Sequence, residues 1–202
     1  PSEPILFSKA TTAVIGPNDP IVLPPGAREV DSEAELAVVI GRKARRVARG
    51  DALAYVAGYT ILNDVTERVV QRSGGQWFRG KGFDSFCPIG PFLVTLDEVG
   101  DLKNLNVQQH HNGLLLQAAN TKDMMFDIPF LIEYISQGMT LLPGDVISTG
   151  TPPGIGSARD GTHDDGCGDE ALLPAGAGGF QEDTAIGNAG DDAHSGRRQG
   201  GR

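Results

Sequence analysis

Apolar and β-branched residues in the first 159 positions come in short runs that are separated by Gly, Pro, Asn and Asp. Such runs predict β-strands joined by turns, because Val, Ile, Thr, Phe and Tyr suit a pleated, half-buried surface. The predicted strands lie within residues 4–16, 20–26, 35–41, 54–64, 89–99 and 144–150. We therefore predict one mainly β (α+β) domain over residues 1–159.

One segment carries a helical pattern instead. In residues 127–138, Asp127 is a suitable N-cap, Pro129 fits the first turn and Gly138 suits the C-terminal end. The apolar stripe that would face the core is formed by Phe130, Leu131, Tyr134 and Ile135. A second short helix is predicted within residues 49–58.

The stretch from Val30 to Lys43 places Glu33 and Glu35 directly before an apolar run. In a helix, Ser32 would be the N-cap, Glu35 would complete a capping box, and both glutamates would be exposed. In a strand, the two glutamates would share one face, with their Cα atoms roughly 6 to 7 Å apart. Two carboxylates about 5 Å apart repel by roughly 3 kcal/mol at an effective dielectric constant near 20, and a divalent cation would remove this repulsion. The pattern leaves both interpretations open.

Further polar residues stand at the ends of predicted strands. Asp64 is either a turn or cap residue, or a hard oxygen ligand of the kind that Mg²⁺, Ca²⁺ and Mn²⁺ prefer. Lys81, between two glycines, is either a solvated loop residue or a binding group for an anionic substrate. Residues 148–156 end a strand in hydroxyl groups and in a Gly/Pro loop whose N–H groups could hold a carboxylate. His110 and His111 have no third His or Cys at ligand spacing, so zinc is not supported.

Charge is concentrated at one end of the chain. Nine acidic and three basic residues lie in positions 160–202, so this segment carries −6 of the net charge of −9. It contains only four large apolar residues, too few to offset the entropy of ordering it. We interpret residues 160–202 as a disordered acidic tail, or as residues that do not belong to the fold.

The composition limits the classes of binding partner and the cellular compartment that we expect. The one basic run, residues 41–50, is interpreted as a solvated turn, and the chain lacks the basic stripe that a nucleic-acid partner would require. Two cysteines, Cys87 and Cys167, do not make a disulfide framework, which favours a reducing, cytoplasmic compartment. No apolar run approaches the roughly 20 residues of a membrane span, so we expect no membrane association.

Four stretches, taken in order, resemble the fumarylacetoacetate hydrolase family. They are residues 31–41, 61–72, 77–91 and 120–156, and the resemblance runs from about Pro4 to Ser157. It implies a mixed β-sandwich or roll and a homodimer. It also implies Mg²⁺, with Ca²⁺ or Mn²⁺ as alternatives, and a small 2-oxo or 1,3-dioxo acid substrate that undergoes C–C hydrolysis, decarboxylation, hydration or isomerisation.

The same resemblance assigns roles to individual residues. The metal ligands it implies are Glu33, Glu35 and Asp64. The substrate-binding residues it implies are Arg68, Gln71, Lys81 and Thr151, and Lys81 is also the catalytic residue. Lys9 aligns with a lysine near the pocket of family members. The implied mechanism is a metal-stabilised enolate, with Lys81 adding positive charge beside the developing oxyanion.

Two departures from the family pattern limit the assignment. After residues 151–156, family members continue with a last pair of strands that residues 160–202 do not resemble, so we also consider a shifted reading frame near residues 158–161 or a decayed gene copy. In family members, a His and a Glu on an N-terminal lid activate water, and that lid would lie upstream of residues 3–7. The sequence itself therefore identifies no general base. The alternative to an active enzyme is an inactive relative that retains only metal binding or dimerisation.

Overall fold

The structure is a computed structural model that describes residues 1–111, 113–157, 169–170 and 186–188. Strands dominate it and the helices are short, as the mainly β prediction requires. The strands are β1 (Val14–Ile15), β2 (Ile21–Leu23), β3 (Val30–Ser32), β4 (Ala34–Ile40), β5 (Val56–Asn63), β6 (Thr66–Glu67), β7 (Cys87–Val94), β8 (Asn106–His111), β9 (Leu114–Asn120), β10 (Val146–Ser148), β11 (Gly156–Ser157), β12 (Asp169–Glu170) and β13 (Ile186–Asn188). The α-helices are α1 (Arg68–Ser73), α2 (Phe78–Lys81), α3 (Leu96–Val99) and α4 (Ile128–Gly138), and 3-10 turns cover Thr11–Ala13, Arg49–Tyr55 and Thr121–Asp123.

The largest sheet has the strand order β1-β7-β5-β4-β10. Its centre is the antiparallel pair β4–β5, in which Ala34 lies opposite Asn63 and Val38 opposite Tyr59. Three smaller sheets have the orders β11-β3-β6, β12-β8-β9 and β13-β2. Among the strands of the described residues, only the pairs β1–β7 and β2–β13 are parallel. Strand β4 is therefore hydrogen-bonded on both edges, to β5 and to β10, and its side chains project from the two faces of the sheet.

Alternation along β4 separates the main core from the polar site. Leu36, Val38 and Ile40 belong to the largest hydrophobic cluster. That cluster also contains Ile128, Ile132 and Ile135 of α4. Burying each such side chain contributes about 1.5–3 kcal/mol. Because side chains alternate along a strand, Glu35 and Ala37 lie on the opposite face. The strand interpretation of this stretch is therefore correct, and the capped helix does not form.

Helix α4 begins and ends where the sequence predicts. The Asp127 carboxylate accepts a hydrogen bond from the Phe130 N–H at 2.9 Å, and the helix ends at Gly138. Its buried face differs from the predicted stripe, because Ile128 and Ile132 are buried whereas Phe130 and Tyr134 are only partly buried. The rings of Phe130 and Tyr134 stack on each other, with centroids 5.9 Å apart. The second predicted helix is a 3-10 turn, Arg49–Tyr55.

The basic run of residues 41–50 keeps its arginine and lysine side chains exposed, which agrees with the predicted solvated turn, and it also contacts both ends of α4. Arg45 donates to the carbonyl of Ser136 at 3.1 Å and to that of Gln137. Arg49 pairs with Asp127 at 2.7 Å. A guanidinium at the C-terminal end satisfies carbonyls that have no partner within the helix and complements the helix dipole.

Two other segments differ from prediction. The predicted strand over residues 89–99 stops at Val94, because Thr95 and Glu98 form a capping box that starts α3. The hairpin β8–β9 was not predicted, since β8 is largely polar and β9, although rich in Leu and Ala, has no β-branched or aromatic residue. Across the described ranges, no helix is long and apolar enough to cross a membrane.

The prediction for residues 160–202 lies outside the described residues, apart from β12 and β13. β12 pairs antiparallel with β8, and β13 pairs parallel with β2. The sequence pattern predicts neither pairing. These pairs are only two or three residues long and can form through backbone N–H and C=O groups, which every strand edge presents whatever its side chains. The division of the chain into a domain and an acidic tail stays a prediction.

Candidate metal centre

Three carboxylates meet where β3, β4 and β5 come together. Glu33 lies between β3 and β4, Glu35 lies in β4, and Asp64 follows the last residue of β5. The β4–β5 register brings Asp64 beside Glu33, so that the Asp64 N–H donates to the Glu33 carbonyl at 2.9 Å. Each residue offers an oxygen within 4.8 Å of the others, and all three are buried. The structure therefore brings the three predicted ligands into one group.

Side-chain amides hold the backbone at the break between β3 and β4. The Glu33 N–H donates to Asn63 Oδ1 at 3.0 Å, and the Ala34 N–H donates to Gln117 Oε1 at 3.0 Å. A buried N–H without a partner costs about 1–3 kcal/mol, so these amides make the break tolerable. The break itself aims Glu33 at Asp64.

Two lysines pair with these carboxylates. Lys81 Nζ donates to Glu33 Oε2 at 2.8 Å, to Asp64 Oδ2 at 2.6 Å and to Thr66 Oγ1 at 2.7 Å. An ammonium group has three N–H donors, so all three are used. Lys9 Nζ lies 2.5 Å from Asp64 Oδ1, which gives Asp64 one ammonium at each oxygen. Both lysines named in the sequence analysis therefore lie in the site: Lys81, and Lys9, which is farther from Asp64 in sequence.

Arg68 binds two carboxylates of the protein. Its Nε donates to Asp31 at 2.6 Å, a terminal nitrogen donates to Glu33, and the other donates to Gln71 at 3.2 Å. The predicted substrate-binding residues Arg68 and Gln71 are thus buried against each other and against Glu33. In this arrangement Arg68 orients Glu33.

Glu35 is the one carboxylate of the group that has no cationic partner within the described part of the chain. It accepts hydrogen bonds from the Ser148 hydroxyl and from the Gly150 N–H, the latter at 2.9 Å. Burial raises the pKa of Glu35 to about 7, and the charges of Asp64 and Glu33 act in the same direction. When Glu35 is ionised, the four carboxylates Asp31, Glu33, Glu35 and Asp64 face three cations, Lys9, Arg68 and Lys81, so one negative charge stays uncompensated.

These residues fit a hard divalent cation. The donor set consists of carboxylate oxygens, which Mg²⁺, Ca²⁺ and Mn²⁺ prefer. Cys87 packs in a small cluster with Ala37 and Leu62. Burial raises the pKa of its thiol to about 11, so Cys87 does not supply the thiolate ligand that softer metals prefer. The uncompensated charge on Glu35 supplies the attraction that a cation requires.

Thr151 lies in the loop that borders Glu35. Its hydroxyl donates to the Ala34 carbonyl at 3.1 Å and accepts from Gln117 Nε2 at 2.8 Å. The hydroxyl has a single proton, so this arrangement ties the loop to β4. Sequence reasoning missed three polar residues of the site: Asp31, Thr66 and Gln117. Alternation with Glu33 and Glu35 was a signal for Asp31, whereas no local pattern marks the other two.

Comparison with known proteins identifies the family. The family profile for the fumarylacetoacetate (FAA) hydrolase C-terminal domain matches residues 1–192. The chain is 52% identical over 161 residues to oxaloacetate tautomerase FAHD2B, mitochondrial, of Bos taurus, and the match covers 79% of this chain and 51% of the relative. It is 50% identical to 2,4-didehydro-3-deoxy-L-rhamnonate hydrolase of a Sphingomonas strain, with 79% and 56% covered. The chain thus spans about half the length of these curated relatives.

The fold has close counterparts among solved structures. The crystal structure of 5-carboxymethyl-2-hydroxymuconate delta-isomerase from Mycobacterium smegmatis superimposes with a TM-score of 0.85 and 42% identity, covering 94% of this chain and 71% of that one. That of 2-hydroxyhepta-2,4-diene-1,7-dioate isomerase from Mycobacterium marinum gives a TM-score of 0.84 at 42% identity. With the matching profile and the grouped carboxylates, these findings show that the chain belongs to the fumarylacetoacetate hydrolase family.

Proposed function

We propose that this protein is a Mg²⁺-dependent enzyme that cleaves or isomerises small 2-oxo acids, such as acylpyruvate-like or hydroxymuconate-like acids. One observation carries the proposal: three buried carboxylates group their oxygens within 4.8 Å beside a buried lysine. Relatives are named tautomerase, hydrolase and isomerase, so the family supports this range of reactions.

Glu33, Glu35 and Asp64 are the residues that would hold the cation. A bound Mg²⁺ would act as a Lewis acid toward the carboxylate and 2-oxo oxygens of the substrate. Ca²⁺ or Mn²⁺ suits the same oxygen donors. Arg68 and Asp31 fix Glu33 from one side, and the Ser148 hydroxyl and Gly150 N–H fix Glu35 from the other. The ligands are thus held by the protein before any ion arrives.

The net charge of the site determines which kind of substrate it attracts. With Glu35 ionised, the site carries a residual charge of −1, which a divalent cation converts to +1. A net positive, water-poor site attracts a carboxylic acid anion and favours negative charge that develops on its oxygen atoms. Lys81 and Lys9 keep two ammonium groups beside Asp64. In this proposal Lys81 is the catalytic cation, while Thr151, Gln71 and Arg68 border or support the place of the substrate.

Turnover of a substrate panel tests the function. Oxaloacetate, acetylpyruvate and longer acylpyruvates would be followed by ultraviolet absorbance, with Mg²⁺ and with EDTA. We expect Mg²⁺-dependent loss of at least one compound, abolished by Glu35→Gln and retained by Glu29→Gln. Glu29 is a matched control because its partly exposed side chain pairs with Arg72 on the surface.

The panel also distinguishes the alternative. Mg²⁺ binding without turnover of any compound would favour an inactive relative that retains only its metal site. Turnover that persists in EDTA would refute metal dependence. The expected homodimer and cytoplasmic location stay predictions, which light scattering of the purified protein and imaging of a tagged chain in cells would check.

A further inference from the structure

Gln117 lies at the centre of β9 with no exposed surface, and its amide uses both of its N–H donors. Its oxygen accepts from the Ala34 N–H at 3.0 Å. Its nitrogen donates to Thr151 Oγ1 at 2.8 Å and to the Pro152 carbonyl at 2.7 Å. One side chain therefore connects the β3–β4 break, which carries the glutamates, with the loop that follows β10.

This combination of contacts requires an amide. A carboxylate of the same length would accept from Ala34 but could not donate to Pro152, and an apolar side chain of the same length could do neither. Ala34 is buried, so its N–H would be left without a partner at a cost of about 1–3 kcal/mol. Packing alone does not explain a glutamine at this position.

The loop that Gln117 holds provides both hydrogen bonds to Glu35. Ser148 and Gly150 donate to the Glu35 carboxylate, and Thr149 donates to the Leu36 carbonyl through its hydroxyl at 2.8 Å. Thr151 then fastens the loop to Ala34, and Gln117 holds Thr151. Glu35 is consequently oriented by a loop that is itself anchored by Gln117.

We propose that Gln117 is a positioning residue that sets the affinity of the carboxylate group for its cation through the loop of residues 148–152. The inference rests on the proposed metal centre and adds a residue that touches neither the cation nor the substrate. Residues that orient metal ligands typically change metal affinity by about 10- to 100-fold when they are replaced. We expect an effect of that size for Gln117.

The test measures Mn²⁺ binding directly, with no need for activity. Free Mn²⁺ gives an electron paramagnetic resonance signal that decreases on binding, so a titration yields the dissociation constant. The variants are Gln117→Met and Thr151→Val, the second of which removes the hydroxyl that Gln117 holds. Gln109→Met is the matched control, because Gln109 is equally buried, lies opposite Gln117 in the β8–β9 register and donates to Ser32.

We expect Gln117→Met to bind Mn²⁺ about 10- to 100-fold more weakly than the wild type. Thr151→Val should show a smaller loss and Gln109→Met none, with circular dichroism showing that each variant is folded. Unchanged affinity in Gln117→Met and Thr151→Val would overturn the inference while leaving the metal centre intact. If Gln117→Met does not fold, Thr151→Val decides the matter alone. A wild type that binds no Mn²⁺ would overturn both the inference and the proposed function.

Discussion

Replacing Glu35 with glutamine should stabilise the metal-free protein at alkaline pH. Burial, and next the charge of Asp64, raises the pKa of Glu35 from 4.5 to about 7. In the unfolded chain this carboxyl ionises near its ordinary value, so the folded protein holds the proton more tightly. A carboxyl with a raised pKa therefore lowers stability as the pH rises from about 4.5 to about 7, and the loss is complete above pH 7.

The size of the effect follows from the same two values. A difference between 4.5 and about 7 corresponds to about 3 kcal/mol of lost stability at pH 8. Glutamine keeps an oxygen that accepts from Ser148 and Gly150, but it cannot ionise. We therefore expect Glu35→Gln to exceed the wild type by up to about 3 kcal/mol at pH 8 and to match it below about pH 4.5.

Urea unfolding in EDTA at pH 4.5, 6 and 8 measures this difference. Added Mg²⁺ at pH 8 should nearly close this difference, because a ligand at 100 times its dissociation constant stabilises the wild type by about 2.7 kcal/mol and leaves Glu35→Gln unaffected. Glu29→Gln serves as the surface control and should show neither effect. A gap between wild type and Glu35→Gln that stays constant from pH 4.5 to pH 8 would refute the reasoning.

Three further predictions concern stability alone. Lys81→Met removes one of the two cationic partners of each of the buried carboxylates Glu33 and Asp64, and should destabilise the metal-free protein by up to about 3–5 kcal/mol in urea unfolding; a loss below about 1 kcal/mol would contradict the ion-pair account. Ile132→Ala removes a wholly buried side chain from the main core and should cost about 2–5 kcal/mol, whereas Ile155→Ala, 44% exposed, should cost less than about 1 kcal/mol. Thr95→Ala removes the capping box of α3 and should cost about 0.5–2 kcal/mol in thermal unfolding, and an unchanged midpoint would show that the cap is not needed.

Local sequence patterns predicted those elements whose determining residues lie close together in the sequence. Alternation placed Glu33 and Glu35 on one face of a strand, and a cap, a proline and a glycine delimited the helix of residues 127–138. The resemblance to a family then related Asp64 and Lys81 to the glutamates. Strand β4 and helix α4 were therefore predictable in kind and in approximate position.

Long-range contacts were not predictable in this way. In the hairpin β8–β9, β8 is largely polar and β9 has no β-branched or aromatic residue, so neither segment has a clear strand pattern. The buried glutamines of this hairpin, Gln109 and Gln117, have hydrogen-bond partners that lie far away in sequence. The basic run is solvent-exposed, as its composition indicates, but its contacts with both ends of α4 join residues far apart in sequence. The role of Arg68 as a substrate ligand stays a prediction, and its guanidinium lies against Asp31 and Glu33. Sequence spacing does not report these contacts.

The location of the bound ion tests the central claim most directly. Crystals grown with Mn²⁺ would be measured near the manganese absorption edge, where anomalous scattering marks the metal position. We predict one strong anomalous peak between the carboxylates of Glu33, Glu35 and Asp64, absent from crystals of Glu35→Gln. A well-ordered triad without a peak, or manganese bound only elsewhere on the protein, would contradict the account.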